Sequence, residues 1–330
     1  MNFSRSNPIH AGSCSSAKTL RARWYTAKRA VTTLTGSVAI TLSLLAAAGL
    51  ADPFRSSAPR QVDSQAEAAF EAMFRDGDYV QAAEFLNSAS ADEPLTHGLR
   101  ASIAYLNGDK SQLGEYARLT LESAERLAQR DPLRGNIYLA GGHFLEGGYL
   151  IETQGLVAAT PRVLGKLQQV FDHLRQAEAI DAADPELNLL RGFMDLMLAV
   201  NLPFSNPAQA IERFQTNAGP SYLVNRGVAI AYRDLNQPEQ ALQAVNQALE
   251  ETPDNPELLY LKAQILVKQG KDQESTTFFG QALEQVSQLP LNVRMRLAWE
   301  SCRTNSRINQ LTDQQSRTEC QAAQQAVANL

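Results

Sequence analysis

The chain has 330 residues, with 30 basic and 35 acidic side chains, a net charge of −5 and 44% hydrophobic residues. Six of the basic residues and none of the acids fall within the first 51 positions, which leaves 24 against 35 in the rest, a net of −11. So acidic a body, with no basic patch, argues against nucleic acid and anionic membrane surfaces as partners, and its plain effect is solubility.

Arg5, Lys18, Arg21, Arg23, Lys28 and Arg29 precede an uncharged run from Ala30 to Ala51, AVTTLTGSVAITLSLLAAAGLA. A basic stretch, an apolar stretch and small residues at Gly49 and Ala51 predict a secretory leader cleaved after Ala51. The run is also about 20 residues long, just enough to span a bilayer. Basic charge ahead of it would keep the N-terminus in the cytoplasm, so an uncleaved anchor at 30–51 is the alternative. The many Thr, Ser and Ala residues favour cleavage. Both outcomes export the body, leaving it periplasmic or anchored on the outer side of the membrane. Cys14, in AGSC, has no apolar segment before it and is not expected to carry lipid. Residues 52–60 read as a linker.

Helical spacing takes over in residues 61–290, where no run alternates apolar and polar residues as a half-buried strand would. From Phe70 to Pro94, FEAMFRDGDYVQAAEFLNSASADEP sets Gly77, Ala82, Leu86 and Pro94 at repeat offsets. LRASIAYLNGDKSQLGEYARL follows with Ala101 and Gly108, then a longer second helix. Between Gly108 and Pro185 the spacing drifts. QAEAIDAADPELNLLRG ends a unit near Ile180 and opens another at Pro185, with Gly192 at the small position and LPFSNP delaying the second helix to about Pro207. The clearest copy lies at 222–289, where one unit is written twice at an offset of 34. Ala229 recurs as Ala263, Asn236 as Gly270, Val245 as Phe279, Ala248 as Ala282 and Leu249 as Leu283. The alanines let two helices approach. Asn236 and Gly270 supply the left-handed residue that ends a first helix. Pro253 closes one unit, and Asp254, Asn255 and Pro256 open the next, since proline is comfortable in a first turn.

This pattern resembles the tetratricopeptide repeat, although it lacks the tryptophan and has Ser275 where alanine is usual. Four to five such units cover most of 61–290, and the whole is similar to exported repeat proteins of cyanobacterial type. The resemblance implies an all-α, right-handed α-solenoid whose units must stack, because none can bury its apolar face alone. It further implies that first helices line a concave groove, through Leu223, Arg226, Ile230, Arg233 and Asp234, then Glu257, Tyr260, Gln264, Val267 and Lys268, and upstream Leu189, Phe193, Leu196 and Met197. Arg226, Ile230, Arg233, Tyr260, Gln264, Lys268, Leu189 and Phe193 are the expected contacts to an extended peptide or helix of a protein partner. Ile230 stands where a carboxylate-clamping asparagine would be, so a chaperone-tail receptor is not expected. A second candidate is 193–207, FMDLMLAVNLPFSNP, apolar nearly all round, with Met194, Met197, Leu202 and Phe204. It reads first as a buried helix entering a packed loop; Leu202, Pro203 and Phe204 would form a patch if exposed.

Residues 291–330 read as a terminal helical hairpin that caps the solenoid, interrupted at Asn305 and Ser306, turning near Leu311 and capped by Thr312 and Asp313. Cys302 and Cys320 are equidistant from that turn and would face each other, so an oxidising compartment favours a disulfide.

Catalytic chemistry is sparse. His10, His97, His143 and His173 form no paired zinc motif. His143 and Glu146 share a helical face, where a metal or acid–base pair is conceivable and an ordinary surface pair is commoner. Gly141, Gly142, Gly147 and Gly148 lack the lysine and preceding strand of a phosphate loop; close helix packing or a local break in a long helix explains them better. The sequence therefore predicts a non-catalytic exported scaffold with no cofactor and no metal. An envelope enzyme with a solenoid body, which needs facing carboxylates in a cleft, and a structural subunit of an anchored complex remain the alternatives.

Overall fold

The computed structural model describes residues 52–201 and 207–330. The expected leader or anchor at 1–51, with His10 and Cys14, and the Leu202, Pro203 and Phe204 patch lie outside the described residues. Among the described residues there are fourteen α-helices and no strand. They pair as seven consecutive hairpins: α1 (Ser64–Glu71) with α2 (Tyr79–Ser88), α3 (Pro94–Asn107) with α4 (Lys110–Ala128), α5 (Pro132–Gln154) with α6 (Leu156–Ile180), α7 (Pro185–Asn201) with α8 (Pro207–Asn217), α9 (Ser221–Asp234) with α10 (Pro238–Glu251), α11 (Pro256–Lys268) with α12 (Asp272–Glu284), and α13 (Leu291–Ile308) with α14 (Asp313–Ala328). Each hairpin packs on the next, which makes the body an α-solenoid.

Local chemistry sets the helix ends. Asp63, Asp78, Asp109, Asp131, Asn255 and Thr312 cap N-termini with side-chain oxygens. Gly77, Gly108, Asn236 and Gly270 take φ between 59° and 75° at or just after helix C-termini. Gly192 and Gly227 admit the Phe214 ring, which a Cβ would meet at 2.7 and 2.6 Å. Ser275, in place of the usual alanine, is fully buried and satisfied, because its hydroxyl donates to the Asp272 carbonyl at 2.7 Å.

Two details differ from expectation. Residues 61–290 hold six hairpins rather than four to five, because α5 and α6 run for 23 and 25 residues and hide their period. Asn305 and Ser306 do not interrupt the C-terminal hairpin. The Ser306 hydroxyl bonds back to the Cys302 carbonyl at 3.0 Å, and α13 continues to Ile308. Its end comes at Gln310, with φ 55°, and Thr312 forms a full capping box with Gln315. Cys302 and Cys320 are joined by a disulfide across this hairpin.

The solenoid curls back on itself. The wide turn that continues α1, residues 72–76, touches α9, and α3 touches α13. Asn255 Nδ2 donates to the carbonyls of Phe74 and Arg75 at 3.1 and 3.0 Å. Leu291 N–H donates to Asn107 Oδ1 at 3.0 Å. One continuous apolar core therefore includes both Phe70 and Leu297.

Residues 52–60, expected as a linker, lie against this body. Phe54 is buried against Phe70 with ring centroids 4.8 Å apart. Arg55 is buried and bonds Asp52, Asp184 and Glu186. Glu186 also accepts from Arg134, fully buried, which reaches Glu93 at 2.9 Å and the Gln61 carbonyl at 3.1 Å. Burial works against the charge on Arg55 and Arg134, and the surrounding carboxylates more than offset it.

Candidate functional site

The inner faces of α9, α11 and α13 converge on a cavity of about 800 Å³, completed by Tyr105 and Leu106 of α3. Helical spacing brings them there: Arg226, Ile230 and Arg233 lie on one face of α9, and Glu257, Tyr260 and Gln264 on one face of α11. Five of the expected contacts, Arg226, Ile230, Arg233, Tyr260 and Gln264, thus share one wall. Lys268 lines an adjoining hollow of about 460 Å³ together with Arg233 and Gln264. Leu189 and Phe193 are placed elsewhere. Leu189 is buried in the core, and the Phe193 ring packs edge-on against Phe214 at 4.9 Å. Among the other groove positions, Leu223 and Leu196 are also core residues.

Several wall residues are held before any partner arrives. Arg226 Nη1 donates to Glu257 Oε2 at 2.9 Å, and so does the buried Tyr79 hydroxyl, at the same distance. Burial opposes the Arg226 charge, but Glu257 and Tyr79 hold its pKa above the ordinary value. Arg233 donates to Gln264 at 2.7 Å, and Gln264 passes the bond to Glu300 at 2.7 Å. Lys268 donates to the Arg233 carbonyl at 2.9 Å. Tyr260 packs on Phe279 and is 7% exposed; its hydroxyl is covered and has no hydrogen-bond partner among the described residues. Burial, then Glu300 beside it, keep that phenol above its usual pKa.

Arg296 and Trp299 of α13 face the same space. Arg296 is exposed and has no ion pair among the described residues, so its charge is available. Arg296, Trp299 and Glu300 escape the sequence reading because 291–330 reads as a cap, and Tyr105 escapes it because α3 reaches this wall only through its contact with α13. The signal was present: Pro290 precedes α13 much as Asn255 and Pro256 open α11, and Leu297 and Ala298 supply the buried face.

A second cavity of about 530 Å³ adjoins the first and shares Tyr105, Leu106, Glu152, Arg226 and Glu257 with it. Its wall is mostly apolar, with Met73, Phe74, Leu113, Phe144, Leu167 and Met197. Gly147 and Gly148 open onto it: a Cβ on Gly148 would meet nothing within 4 Å, and one on Gly147 only the Lys166 Cβ at 3.9 Å. The four glycines thus lie within an unbroken helix, α5, rather than in a phosphate loop or at a break. Gly142 alone of the four answers to close packing, against Leu121 at 2.6 Å. His143 Nδ1 lies 3.1 Å from Glu146 Oε2, which Lys166 also bonds at 2.5 Å. His143 stacks on His173 at 5.6 Å, and burial, then the His143 charge, lower the His173 pKa. No three metal-ligating side chains cluster among the described residues. The three carboxylates on the first cavity are all engaged, Glu257 by Arg226 and Tyr79, Glu300 by Gln264 and Glu152 by Lys110 at 3.7 Å.

Residues 232–291, from the last turn of α9 to the first residue of α13, match the tetratricopeptide repeat family. No curated protein matches the chain. Repeats of this family generally mediate protein–protein interaction and are typically non-catalytic.

Proposed function

We propose, from the premise that residues 232–291 are a tetratricopeptide repeat carried in an α-solenoid that curls back on itself, that the protein is a non-catalytic scaffold holding a segment of a partner protein. The observation that carries this reading is the convergence of Arg226, Ile230, Arg233, Tyr260 and Gln264 with Arg296 and Trp299 on one cavity of about 800 Å³. The cation of Arg296 suits an acidic residue of the segment, and the adjoining apolar cavity suits one of its apolar side chains. The segment is an extended peptide or a helix that enters between α9, α11 and α13.

The body works outside the cytoplasmic membrane in this reading. The basic and apolar N-terminal pattern supports it, as does the Cys302–Cys320 disulfide, which persists in oxidising compartments. The narrower likeness to exported repeat proteins of cyanobacterial type rests on the same combination of leader and repeats.

The test is a crosslinked capture from the envelope fraction, comparing the intact chain with an Arg296→Glu, Trp299→Ala variant. These positions are chosen because Tyr260 is buried and Arg226 is half-buried and paired with Glu257, so that their replacement would disturb the fold. With an unchanged circular dichroism spectrum and thermal midpoint, the variant should capture its partner at least about tenfold less well, given the weight of Trp and Arg at interfaces. Equal capture by both chains would remove this cavity as the site. Retention of the chain in salt-washed membranes would identify it as an anchored subunit.

A further inference from the structure

Glu67, on α1, is a carboxylate set among acids without a cation of its own. Its Oε1 accepts a hydrogen bond from the Asp52 backbone N–H at 3.1 Å. The acids beside it are each paired: Asp52 with Arg55 at 3.1 Å and Glu71 with Arg75 at 3.1 Å. Glu67 has no ion pair among the described residues. Burial, and then the charges of Glu71 and Asp52, push its pKa up, and only the Asp52 N–H works the other way. The arrangement is electrostatically incomplete by one positive charge.

The backbone nitrogen of Asp52 is held in place by the residues that follow it. The Asp52 carboxylate accepts from the backbone N–H groups of Phe54, Arg55 and Arg60 at 3.0, 3.3 and 2.7 Å. Arg55 is locked in turn onto Asp184 and Glu186. Beside this nitrogen lies an open hollow of about 810 Å³ whose lining includes Asp52, Glu67, Glu71 and Arg60. Asp52 is also the residue that follows the small residues Gly49 and Ala51, where the leader pattern places a cut.

We propose that Glu67 is a receptor for the α-ammonium group created when the Ala51–Asp52 peptide bond is hydrolysed. Water adds across that bond; Ala51 leaves as a carboxylate, and Asp52 retains the nitrogen, which becomes an ammonium. An α-amino group has a pKa of about 7.7–8.0 in solution, so it is a cation at neutral pH. The nitrogen that now gives one neutral N–H bond then gives a charge-assisted one, roughly twice as strong. It also supplies the positive charge that Glu67 lacks. Removal of the leader in this way tightens the strap formed by residues 52–60, in addition to freeing it from what precedes it. The inference uses the leader reading for the place of the cut and is independent of the scaffold reading of the cavity.

The experiment uses full-length chains in which residues 48–51 are replaced by a recognition sequence for a protease that cuts after its last residue. The thermal midpoint is measured on each chain before and after cutting. Cutting directly before Asp52 should raise the midpoint by about 2–4 °C, the shift expected for one added partly buried ion pair in a chain of this size. The rise should vanish in Glu67→Gln, which keeps the acceptor oxygen and loses the charge. It should also vanish when the cut leaves two extra residues ahead of Asp52. A rise of equal size in all three chains, or none in the first, would overturn the proposal. The unaltered chain, expressed in an exporting host, should yield an intact mass that begins at Asp52; a different N-terminus on the exported product would overturn it as well.

Discussion

Arg134 shows how a single side chain can hold distant parts of a solenoid together. Fully buried, it joins α5 to Glu93 before α3, to Glu186 on α7 and to the Gln61 carbonyl in the N-terminal strap, and it lies over the Tyr138 ring at 5.2 Å. Tyr138 in turn donates to Glu186 at 2.5 Å. Replacing a buried cation leaves its carboxylates uncompensated, which costs more than the pair itself gains. Arg134→Met is therefore expected to lower stability by about 3–5 kcal/mol in denaturant unfolding. A loss below about 1 kcal/mol would show that Glu93 and Glu186 find other partners. Residue identity misleads at this scale when the partners are remote in sequence. Arg226 looks like a solvent-facing groove residue, yet it is half-buried and paired with Glu257 beside Tyr79, whereas Arg296, ascribed to a cap, carries the exposed charge.

At the scale of elements, α5 departs most from a regular unit. It carries five glycines, Gly135, Gly141, Gly142, Gly147 and Gly148, at a helical cost of roughly 1 kcal/mol each relative to alanine. Their environments separate their roles. A Cβ at Gly141 meets nothing within 4 Å, so Gly141→Ala should raise stability by about 0.5–1 kcal/mol. A Cβ at Gly142 comes within 2.6 Å of Leu121 Cδ2 and 3.3 Å of its backbone nitrogen, so Gly142→Ala should destabilise by about 1–3 kcal/mol. Paired thermal melts check both signs; if the two variants shifted together, propensity alone would be setting the outcome. The C-terminal hairpin offers a second element-level test. The disulfide spans a sequence separation of 18, and in the chain-entropy model a loop of that order contributes about 3 kcal/mol. Cys302→Ser with Cys320→Ser should lose about that much, and the intact chain should lose it on reduction while the serine variant should not change.

At the scale of the molecule, closure is the feature to test, and Asn255 allows its two jobs to be separated. Its Oδ1 caps α11 by accepting from Glu257 and Leu258, and its Nδ2 ties the first hairpin through the Phe74 and Arg75 carbonyls. Aspartate caps a helix as well as asparagine does, but it would turn an oxygen toward those two carbonyls. Asn255→Asp is expected to keep α11 while costing about 2–3 kcal/mol and loosening the contact between the ends, seen as a larger radius in small-angle scattering. An unchanged radius and midpoint would mean that the apolar core around Phe70 holds the closure without this tether.

The sequence by itself determined the helical hairpin, and the 34-residue offset was enough to find it. Ala229, Asn236, Ala263 and Gly270 do local work, so their spacing reports directly on structure. The convergence of Arg226, Arg233, Tyr260 and Gln264 followed from the same logic, because residues on one face of successive first helices must line one surface. Only the tertiary structure decided what that surface faces. Closure between α3 and α13, the meeting of Arg226 and Tyr79 on Glu257, and the contribution of Arg296 and Trp299 depend on the cumulative curvature of seven hairpins. Curvature sums small rotations over the whole array, and no single repeat encodes it. The N-terminal strap was illegible for a related reason. Arg55 and Asp184 lie 129 positions apart, and charged residues in a stretch without periodicity carry no local signal of the partners they meet once the chain has folded.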